Sequence, residues 1–276
     1  MDLVEANGAR MPALGFGTWE LRGAEAQRLV EAALAIGYRH LDTAEMYGNE
    51  TEVGAALRAS GLPRDAVWVT TKIWPDHFAA GAFERAVEAC LARLRLAAVD
   101  LLLLHWPSRT VPLADTIAAL ARVHAAGQAR HVGISNFTAA MVDEAVALAP
   151  MPLVTNQVEY HPFITQHAVR ERCRAHGLAL TAYCPLARGR AFIDPVLSRI
   201  GRTHGKSGGQ VALRWLLQQP GVVAIPRSSS VTHAAANFAV TDFTLSDGEM
   251  AEISALGSPE GRIVRLGSVV PDWDVA

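Results

Sequence analysis

VDLLLLH, residues Val99–His105, places four consecutive leucines between an aspartate and a histidine. Such a run has no period-two alternation of apolar and polar residues, which is typical of a strand buried on both faces. Strands of this kind occur in parallel sheets whose faces are covered by helices. The stretch therefore favours an α/β fold.

Similar apolar runs lie on both sides of this stretch, and each is followed by a longer segment with helical periodicity. The further runs are Ala13–Gly17, His40–Thr43, Val67–Ile73, His131–Ser135, Val154–Tyr160, Ala179–Cys184 and Val222–Pro226. The helical segments are Ala24–Ile36, Glu50–Ala59, Phe83–Leu96, Leu113–Ala125, Ala139–Leu148, Gln166–Ala175 and Gly209–Gln218, with a shorter candidate at Ala234–Ala239. About eight βα units in one chain of 276 residues predict a closed (β/α)8 TIM barrel, a single domain over residues 1–276, rather than an open doubly wound sheet.

Both ends of the chain carry further elements. Asn7-Gly8 tolerates positive φ at both turn positions, so Leu3–Glu5 and Arg10–Met11, which flank Ala6–Ala9, are predicted to form an N-terminal β-hairpin. Ser246–Leu256 is predicted to form an extra C-terminal helix, followed by a short irregular tail over Gly257–Ala276.

Composition excludes several classes of function. The net charge of −2 gives no reason to expect nucleic acid or an anionic membrane as a partner. The first residues lack the pattern of a signal peptide, and no apolar run approaches the ~20 residues that span a bilayer. The three cysteines are far apart and the ten histidines are scattered, so neither disulfides nor a metal site is predicted. We expect a cytoplasmic protein, with a monomer as the default.

Four polar residues mark the ends of three neighbouring predicted strands. Asp42 lies in the second strand and Tyr47 in the loop after it, Lys72 lies at the end of the third strand, and His105 ends the fourth. In a barrel these ends meet on the C-terminal face, where active sites lie. Each residue alone has an ordinary structural explanation, such as helix capping or a hydrogen bond to the backbone. A lysine inside an apolar strand, however, needs a partner for its charge, and Asp42 is the nearest candidate.

Together these four residues, here called the tetrad, suit the reduction of a carbonyl group. An unperturbed tyrosine has a pKa near 10 and is a poor acid at neutral pH. A lysine cation beside the hydroxyl is expected to lower the pKa of Tyr47. His105 is expected to orient the carbonyl or the Tyr47 hydroxyl through a hydrogen bond. The tetrad would then donate a proton to a carbonyl oxygen that accepts charge during hydride attack.

A series of segments resembles the aldo-keto reductases, in particular the bacterial branch with short loops that includes the diketogluconate reductases. The segments are GFGTW (Gly15–Trp19), LDTAEMYGNE (Leu41–Glu50), TTKIW (Thr70–Trp74), DLLLLHWP (Asp100–Pro107), GISNF (Gly133–Phe137), NQVEYHP (Asn156–Pro162), AYCPLARG (Ala182–Gly189), QVALRW (Gln210–Trp215) and IPRS (Ile225–Ser228). They run in the family's order from Met11 to Phe238, and they are specific as a set. The resemblance implies a barrel closed at its bottom by the hairpin, and reduction of aldehydes or ketones by NADPH.

The resemblance also implies roles for individual residues. Asp42, Tyr47, Lys72 and His105 match the family's catalytic residues. The positions that match cofactor contacts are Gly17, Thr18, Trp19, Asp42, Ser135, Asn136, Gln157, Tyr183, Pro185, Leu186, Gly189, Arg227, Ser228, His233 and Asn237. Among these, Ser135, Asn136 and Gln157 would hold the carboxamide, and Tyr183 would stack on the nicotinamide.

The last cofactor segment departs from the family pattern. Arg227 stands where a lysine is usual, His233 where an arginine is usual, and Ala236 where a glutamate is usual. Arginine binds phosphate well, whereas histidine is largely neutral at pH 7. We therefore expect NADPH, with NADH possible but bound more weakly, and a smaller preference than is usual in the family. The segment is also compatible with a plain strand-to-helix turn capped by Thr232.

Tryptophans after three strands predict an apolar substrate pocket with a polar floor. The expected substrate contacts are Trp19, Trp74, His105, Trp106 and, in the tail, Trp273, with Arg262 as a further candidate for a pocket or anion contact. Small 2-oxoaldehydes, aromatic aldehydes and keto-sugars all fit such a small carbonyl pocket.

The sequence excludes one other class of protein and is compatible with two alternative functions. Gly15-Phe16-Gly17 is not followed by the rest of a G-x-G-x-x-G fingerprint, so a Rossmann domain is excluded. One alternative is a Schiff-base aldolase with Lys72 as the nucleophile, although the neighbouring Asp42 would keep Lys72 protonated. Another is a redox sensor that binds NADPH without appreciable turnover.

Overall fold

An antiparallel hairpin opens the computed structural model, which describes residues 2–274. The hairpin consists of β1 (Leu3–Ala6) and β2 (Ala9–Pro12). Asn7 and Gly8 connect them with φ values of +44° and +87°. Positive φ at both positions is what an Asn-Gly turn supplies, so the predicted hairpin is confirmed.

Eight parallel strands follow the hairpin. They are β3 (Phe16–Gly17), β4 (His40–Asp42), β5 (Trp68–Ile73), β6 (Val99–Leu104), β7 (Ala129–Ser135), β8 (Leu153–Glu159), β9 (Ala179–Tyr183) and β10 (Val222–Ala224). Each strand pairs with the next one along the chain. The first and last strands meet where the Gly15 amide donates to Ala224 O at 2.8 Å and the Ala224 amide donates to Ala13 O at 2.8 Å. The sheet therefore closes, and the predicted (β/α)8 barrel is confirmed.

Helices surround the strands. They are α1 (Gly23–Ile36), α2 (Glu50–Ala59), α3 (Ala82–Leu94), α4 (Leu113–Ala125), α5 (Ala139–Leu148), α6 (His167–Ala175), α7 (Arg190–Ile193), α8 (Pro195–His204), α9 (Gly208–Leu217), α10 (Val231–Phe238) and α11 (Asp247–Ser254). The sequence reading anticipated all of these except α7 and α8. The start of α8 carries two recognisable signals: Asp194 accepts hydrogen bonds from two backbone amides of the first turn, and Pro195 occupies the first helical position.

The four leucines of β6 show why that strand lacks alternation. Leu101 and Leu103 pack inside the barrel, in a cluster that includes Met11 of the hairpin. Leu102 and Leu104 belong to the larger cluster between the strands and the surrounding helices. Both faces of the strand are therefore apolar and buried, as the sequence predicted.

The C-terminal region refines two sequence-based expectations. α10 is capped by Ser230, whose hydroxyl accepts from the His233 amide, rather than by Thr232. Ser246 caps α11, the predicted extra helix, together with Glu249. The tail after α11 is largely irregular, as predicted, but it contains 3₁₀ turns at Pro259–Gly261 and Gly267–Val269. None of the helices in residues 2–274 has the length and apolar character needed to span a bilayer.

Candidate active site

The structure brings the four tetrad residues together at the C-terminal end of the barrel. Asp42 ends β4, Lys72 lies in β5, His105 follows β6, and a 3₁₀ turn at Glu45–Tyr47 carries the tyrosine. Lys72 Nζ lies 2.5 Å from Asp42 Oδ1 and donates to Thr43 O at 2.8 Å. The same Nζ lies 3.4 Å from the Tyr47 hydroxyl oxygen. The ammonium group of the fully buried Lys72 is therefore directed at the hydroxyl group of Tyr47.

Burial dominates the electrostatics of this group. It lowers the pKa of Lys72, and the negative charge of Asp42 partly offsets that effect. Burial also raises the pKa of Tyr47 well above its usual value, and Asp42 raises it further. This direction is opposite to the expected lowering by Lys72, because the desolvation of the phenolate outweighs the attraction of the lysine cation. Tyr47 therefore keeps its proton, as a proton donor must before it reacts.

His105 is a neutral imidazole in this environment. Burial, and secondly the nearby charge of Lys72, holds the pKa of His105 well below its usual range. Its ring lies edge-on to Tyr47 and Trp74, with centroid separations of 5.6 Å and 5.2 Å. Its Nδ1 atom is buried without a hydrogen-bond partner among residues 2–274. A neutral ring of this kind suits hydrogen bonding to a substrate oxygen better than proton donation.

A buried asparagine, which the sequence reading did not single out, holds the Tyr47 loop in place. Asn49 Oδ1 accepts from the Thr43 hydroxyl at 2.7 Å. Its Nδ2 donates to Thr18 O at 2.8 Å and to Leu21 O at 2.9 Å. The bond from Thr43 lies within the segment that carries Tyr47, and the two bonds to Thr18 O and Leu21 O tie this segment to the loop after β3. The position of Asn49 between the tyrosine and α2, in the LDTAEMYGNE segment, was the available signal.

A cavity of about 490 Å³ lies above these residues. Most of the predicted catalytic, cofactor-binding and substrate-binding residues line it, namely Gly17, Thr18, Trp19, Asp42, Tyr47, His105, Trp106, Ser135, Asn136, Gln157, Tyr183, Pro185, Leu186, Gly189 and Arg227. Predicted residues outside the lining are Lys72, Trp74, Ser228, His233, Asn237, Arg262 and Trp273. Lining residues that were not predicted are Glu20, Met46, Cys184, Arg188, Phe192, Ile225, Val264 and Leu266.

Polar groups on one side of the cavity are fixed by their neighbours. The Ser135 hydroxyl donates to Gln157 O at 2.8 Å. Asn136 Nδ2 donates to His105 O at 2.9 Å, and the Tyr183 hydroxyl donates to Asn136 Oδ1 at 2.8 Å. These bonds connect β7, β8 and β9 to the tetrad. The side chains of Ser135 and Asn136 are therefore held in fixed positions beside the Tyr183 ring.

Arg227 is the predicted cofactor contact after β10 that lines the cavity. Its Nε donates to Trp19 O at 3.1 Å, and a terminal nitrogen lies 3.7 Å from Glu20 Oε2. Ser228 is buried and hydrogen-bonds to Ser230, whereas His233 is exposed on α10. A second arginine, Arg188, lines the same cavity with a left-handed φ of +51°. Two guanidinium groups therefore stand at this cavity.

Among residues 2–274, no group of three or more histidine, cysteine, aspartate or glutamate side chains is arranged to hold a metal ion.

The model of the Aldo/keto reductase family matches residues 13–258. The chain belongs to the aldo/keto reductase family. It is 40% identical to the 9,11-endoperoxide prostaglandin H2 reductase of Trypanosoma cruzi, over 91% of this chain and 89% of that protein. It is 38% identical to the glyoxal reductase of Bacillus subtilis, over 92% of each chain.

Solved structures agree with this family assignment. A crystal structure provisionally assigned as a 2,5-diketo-D-gluconic acid reductase B has 47% identity and a TM-score of 0.98, covering 100% of this chain and 98% of that chain. The aldose reductase of Schistosoma japonicum has 31% identity and a TM-score of 0.88, covering 94% of this chain and 93% of that chain. The resemblance to the diketogluconate reductase branch is thus confirmed. The chain is an oxidoreductase of a family that reduces carbonyl groups and typically uses nicotinamide cofactors.

Proposed function

We propose that this aldo/keto reductase uses NADPH to reduce aldehydes and ketones to alcohols, with Tyr47 as the proton donor. The observation that carries the proposal is the buried Lys72–Asp42 ion pair, whose lysine lies 3.4 Å from the Tyr47 hydroxyl. Tyr47 lines the cavity, so its proton has access to a bound substrate.

The residues around the cavity fit a nicotinamide dinucleotide. A volume of about 490 Å³ falls within the usual range for small-ligand sites. Arg188 and Arg227 supply cations for phosphate groups. The Tyr183 ring and the amides of Asn136 and Gln157 offer a flat surface and hydrogen-bonding groups for a ring that bears a carboxamide.

The chemistry is divided between the cofactor and the protein. When bound, NADPH supplies the hydride that attacks the carbonyl carbon. Tyr47 gives its proton to the carbonyl oxygen, and the nearby Lys72 cation stabilises the phenolate that remains. His105, held neutral by burial, donates a hydrogen bond that orients the carbonyl. Asp42 keeps Lys72 charged and in place.

The expected preference for NADPH over NADH depends on Arg227. Arg227 is partly exposed and able to pair with a 2′-phosphate through its forked donors. His233 lies exposed outside the cavity lining and is expected to add little. We therefore expect a modest preference for NADPH.

Small or aromatic carbonyl compounds suit the substrate end of the cavity. Trp19, Trp106, Val264 and Leu266 make its walls apolar around a polar floor. The relative named as a glyoxal reductase supports 2-oxoaldehydes as one class, and aromatic aldehydes and keto-sugars are the others. The proposal includes a cytoplasmic monomer, and the three free cysteines are consistent with a reducing compartment.

The decisive experiment follows NADPH oxidation with methylglyoxal and with an aromatic aldehyde, for the wild type and Tyr47→Phe side by side. We expect turnover in the wild type and a rate at least ~10²-fold lower in the variant, as for loss of a general acid. Repeating the assay with NADH measures the cofactor preference. Equal rates in both proteins would show that Tyr47 is not the proton donor.

A cofactor-binding measurement and borohydride trapping test the two alternatives. NADPH binding without turnover in either protein would favour a redox sensor. A Schiff-base aldolase would form an adduct on Lys72 that borohydride traps, and Asp42 at 2.5 Å argues against that role because its negative charge favours the protonated amine.

A further inference from the structure

We propose that Glu159 is a positioning residue that fixes the substrate-facing wall of the cavity by binding the backbone of the C-terminal tail. The inference rests on the proposed function only for its kinetic consequence. Glu159 lies in the NQVEYHP segment at the end of β8 and does not line the cavity.

The Glu159 carboxylate is completely buried and is surrounded by donors. Oε1 accepts from the Ile263 amide at 2.8 Å, and Oε2 accepts from the Val264 amide at 3.0 Å. His161 Nε2 lies 3.0 Å from Oε1, and an Arg262 nitrogen lies 3.9 Å from Oε2. Two successive amides of the tail therefore bind the two oxygens of one carboxylate.

This contact lies directly beside the cavity wall. Val264 donates one of the two amides and also lines the cavity, and Leu266 lines it two residues later. Both tail side chains are apolar, and Leu266 is partly exposed at 37%. The position of the carboxylate therefore determines where this wall stands.

A second contact fixes the start of the same segment. The Ser258 amide donates to Phe163 O at 3.3 Å, and the Thr165 amide donates to Ser258 O at 3.3 Å. A Cβ atom at Gly261 would lie only 1.6 Å from Phe163 O, so the tail backbone packs directly against the loop after β8. Further along, Arg262 stacks over the Trp273 ring at 3.6 Å. Glu159 thus lies between an anchored segment and the wall.

The charge of Glu159 is required for this geometry. Burial raises its pKa, but the bonds from His161 and from the two amides outweigh burial and lower the pKa below its usual value. A glutamine offers one acceptor and one NH₂ group, and the NH₂ group would face an amide N–H. One tail amide would then lose its buried partner.

The test compares Glu159→Gln with a matched control, Asp100→Asn. Asp100 is also a buried carboxylate that accepts a backbone amide, from Val69 at 2.8 Å, and a guanidinium, from Arg64 at 2.6 Å. It lies at the start of β6, at the opposite end of the barrel from the cavity. Both variants lose a charged acceptor, but only Glu159→Gln disturbs the tail.

Hydrogen exchange gives a readout that is independent of activity. We expect exchange at the amides of Ile263 and Val264 to accelerate at least about tenfold in Glu159→Gln, and to stay unchanged in Asp100→Asn. We also expect Glu159→Gln to raise the KM for an aromatic aldehyde by about tenfold or more, with a smaller change for methylglyoxal and an unchanged KM for NADPH.

The outcomes distinguish a failure of the inference about Glu159 from a failure of the proposed function. Unchanged exchange at Ile263 and Val264 in Glu159→Gln would overturn the inference, even if the enzyme is active. Equal KM changes for both aldehydes would also overturn it, since a wall contact discriminates by substrate size. Absence of reduction by the wild-type protein would overturn the proposed function. The exchange rates at Ile263 and Val264 would still test the contact between Glu159 and the tail.

Discussion

Gln157 Nε2 donates a hydrogen bond of 2.8 Å to Asp42 Oδ2, joining β8 to β4 across the inside of the barrel. The other oxygen, Oδ1, binds Lys72 at 2.5 Å. Because an ionised carboxylate only accepts hydrogen bonds, the amide nitrogen of Gln157 must face Asp42. Gln157 also lines the cavity, so its Oε1 atom is a candidate acceptor for a ligand donor, such as the NH₂ group of a carboxamide. One residue thus connects the proposed cofactor site to the ion pair beneath Tyr47.

Removing Asp42 should destabilise the protein because a buried lysine would lose its counter-charge. We expect Asp42→Leu to lower the free energy of unfolding by about 3–5 kcal/mol. Adding Lys72→Met should recover a large part of that loss, since no buried charge then remains. Urea unfolding of the two single variants and the double variant measures the coupling. Strictly additive effects would show that the two side chains do not depend on each other.

His105 should make stability depend on pH in a defined direction. In the folded protein its pKa lies well below that of an unfolded histidine, about 6.5. Below pH 6.5 the unfolded chain therefore gains a proton that the folded chain does not, and stability falls as pH falls by up to about 1.4 kcal/mol per pH unit. His105→Gln should remove this contribution. Unfolding free energies measured between about pH 5 and pH 7.5 should show a shallower slope in the variant; parallel slopes would contradict a neutral, buried His105.

Arg227 should control the choice of cofactor. Arg227→Gln removes a charged, forked donor, so we expect the KM for NADPH to rise by about tenfold or more and the KM for NADH to stay nearly constant. His233→Gln serves as a control, because His233 is exposed and lies outside the cavity lining. Initial rates with each cofactor measure both effects. A similar rise for NADPH and NADH in Arg227→Gln would place Arg227 away from the 2′-phosphate.

Gly17 should not tolerate a side chain. A Cβ atom there would lie 2.8 Å from Ile225 O, where β3 meets the segment after β10. We expect Gly17→Ala to cost about 1–3 kcal/mol of stability, because backbone must move. Gly248→Ala is the matched control, since Gly248 lies in α11 with no atom within 4 Å of an added Cβ; it should be neutral or slightly stabilising. Thermal unfolding of both variants decides the matter, and equal melting temperatures would contradict the close packing.

The fold could be predicted because its signals are local. An apolar run such as Val99–Leu104 reports a strand buried on both faces, and Asn7-Gly8 reports a hairpin turn. α8 was not predicted, although Asp194 and Pro195 are typical residues of a helix N-terminus. The reason is that this segment follows a loop and interrupts the regular alternation of strands and helices.

Reasoning from strand order alone predicts the part of the candidate site that is built from strand ends, whereas the loop residues Pro185, Leu186 and Gly189 were predicted from the family resemblance. Barrel topology brings Asp42, Lys72 and His105 together independently of the conformation of the loops. Val264 was missed because its place depends on a bond to Glu159, 105 residues earlier in the chain. Arg188 was missed because a left-handed backbone at an arginine has no signature in sequence.

The hairpin has a practical consequence. Asn7 Nδ2 donates to Leu153 O at the start of β8 and to His176 O, so β1 and β2 sit on the face of the barrel away from the cavity. A surface tether or fusion partner attached ahead of the hairpin would leave the cavity mouth facing solution. A tether or fusion partner attached at the C-terminal tail would instead put mechanical strain on the cavity wall that Val264 and Leu266 form. Immobilised catalysts or affinity handles based on this chain should therefore be joined through the N-terminal end.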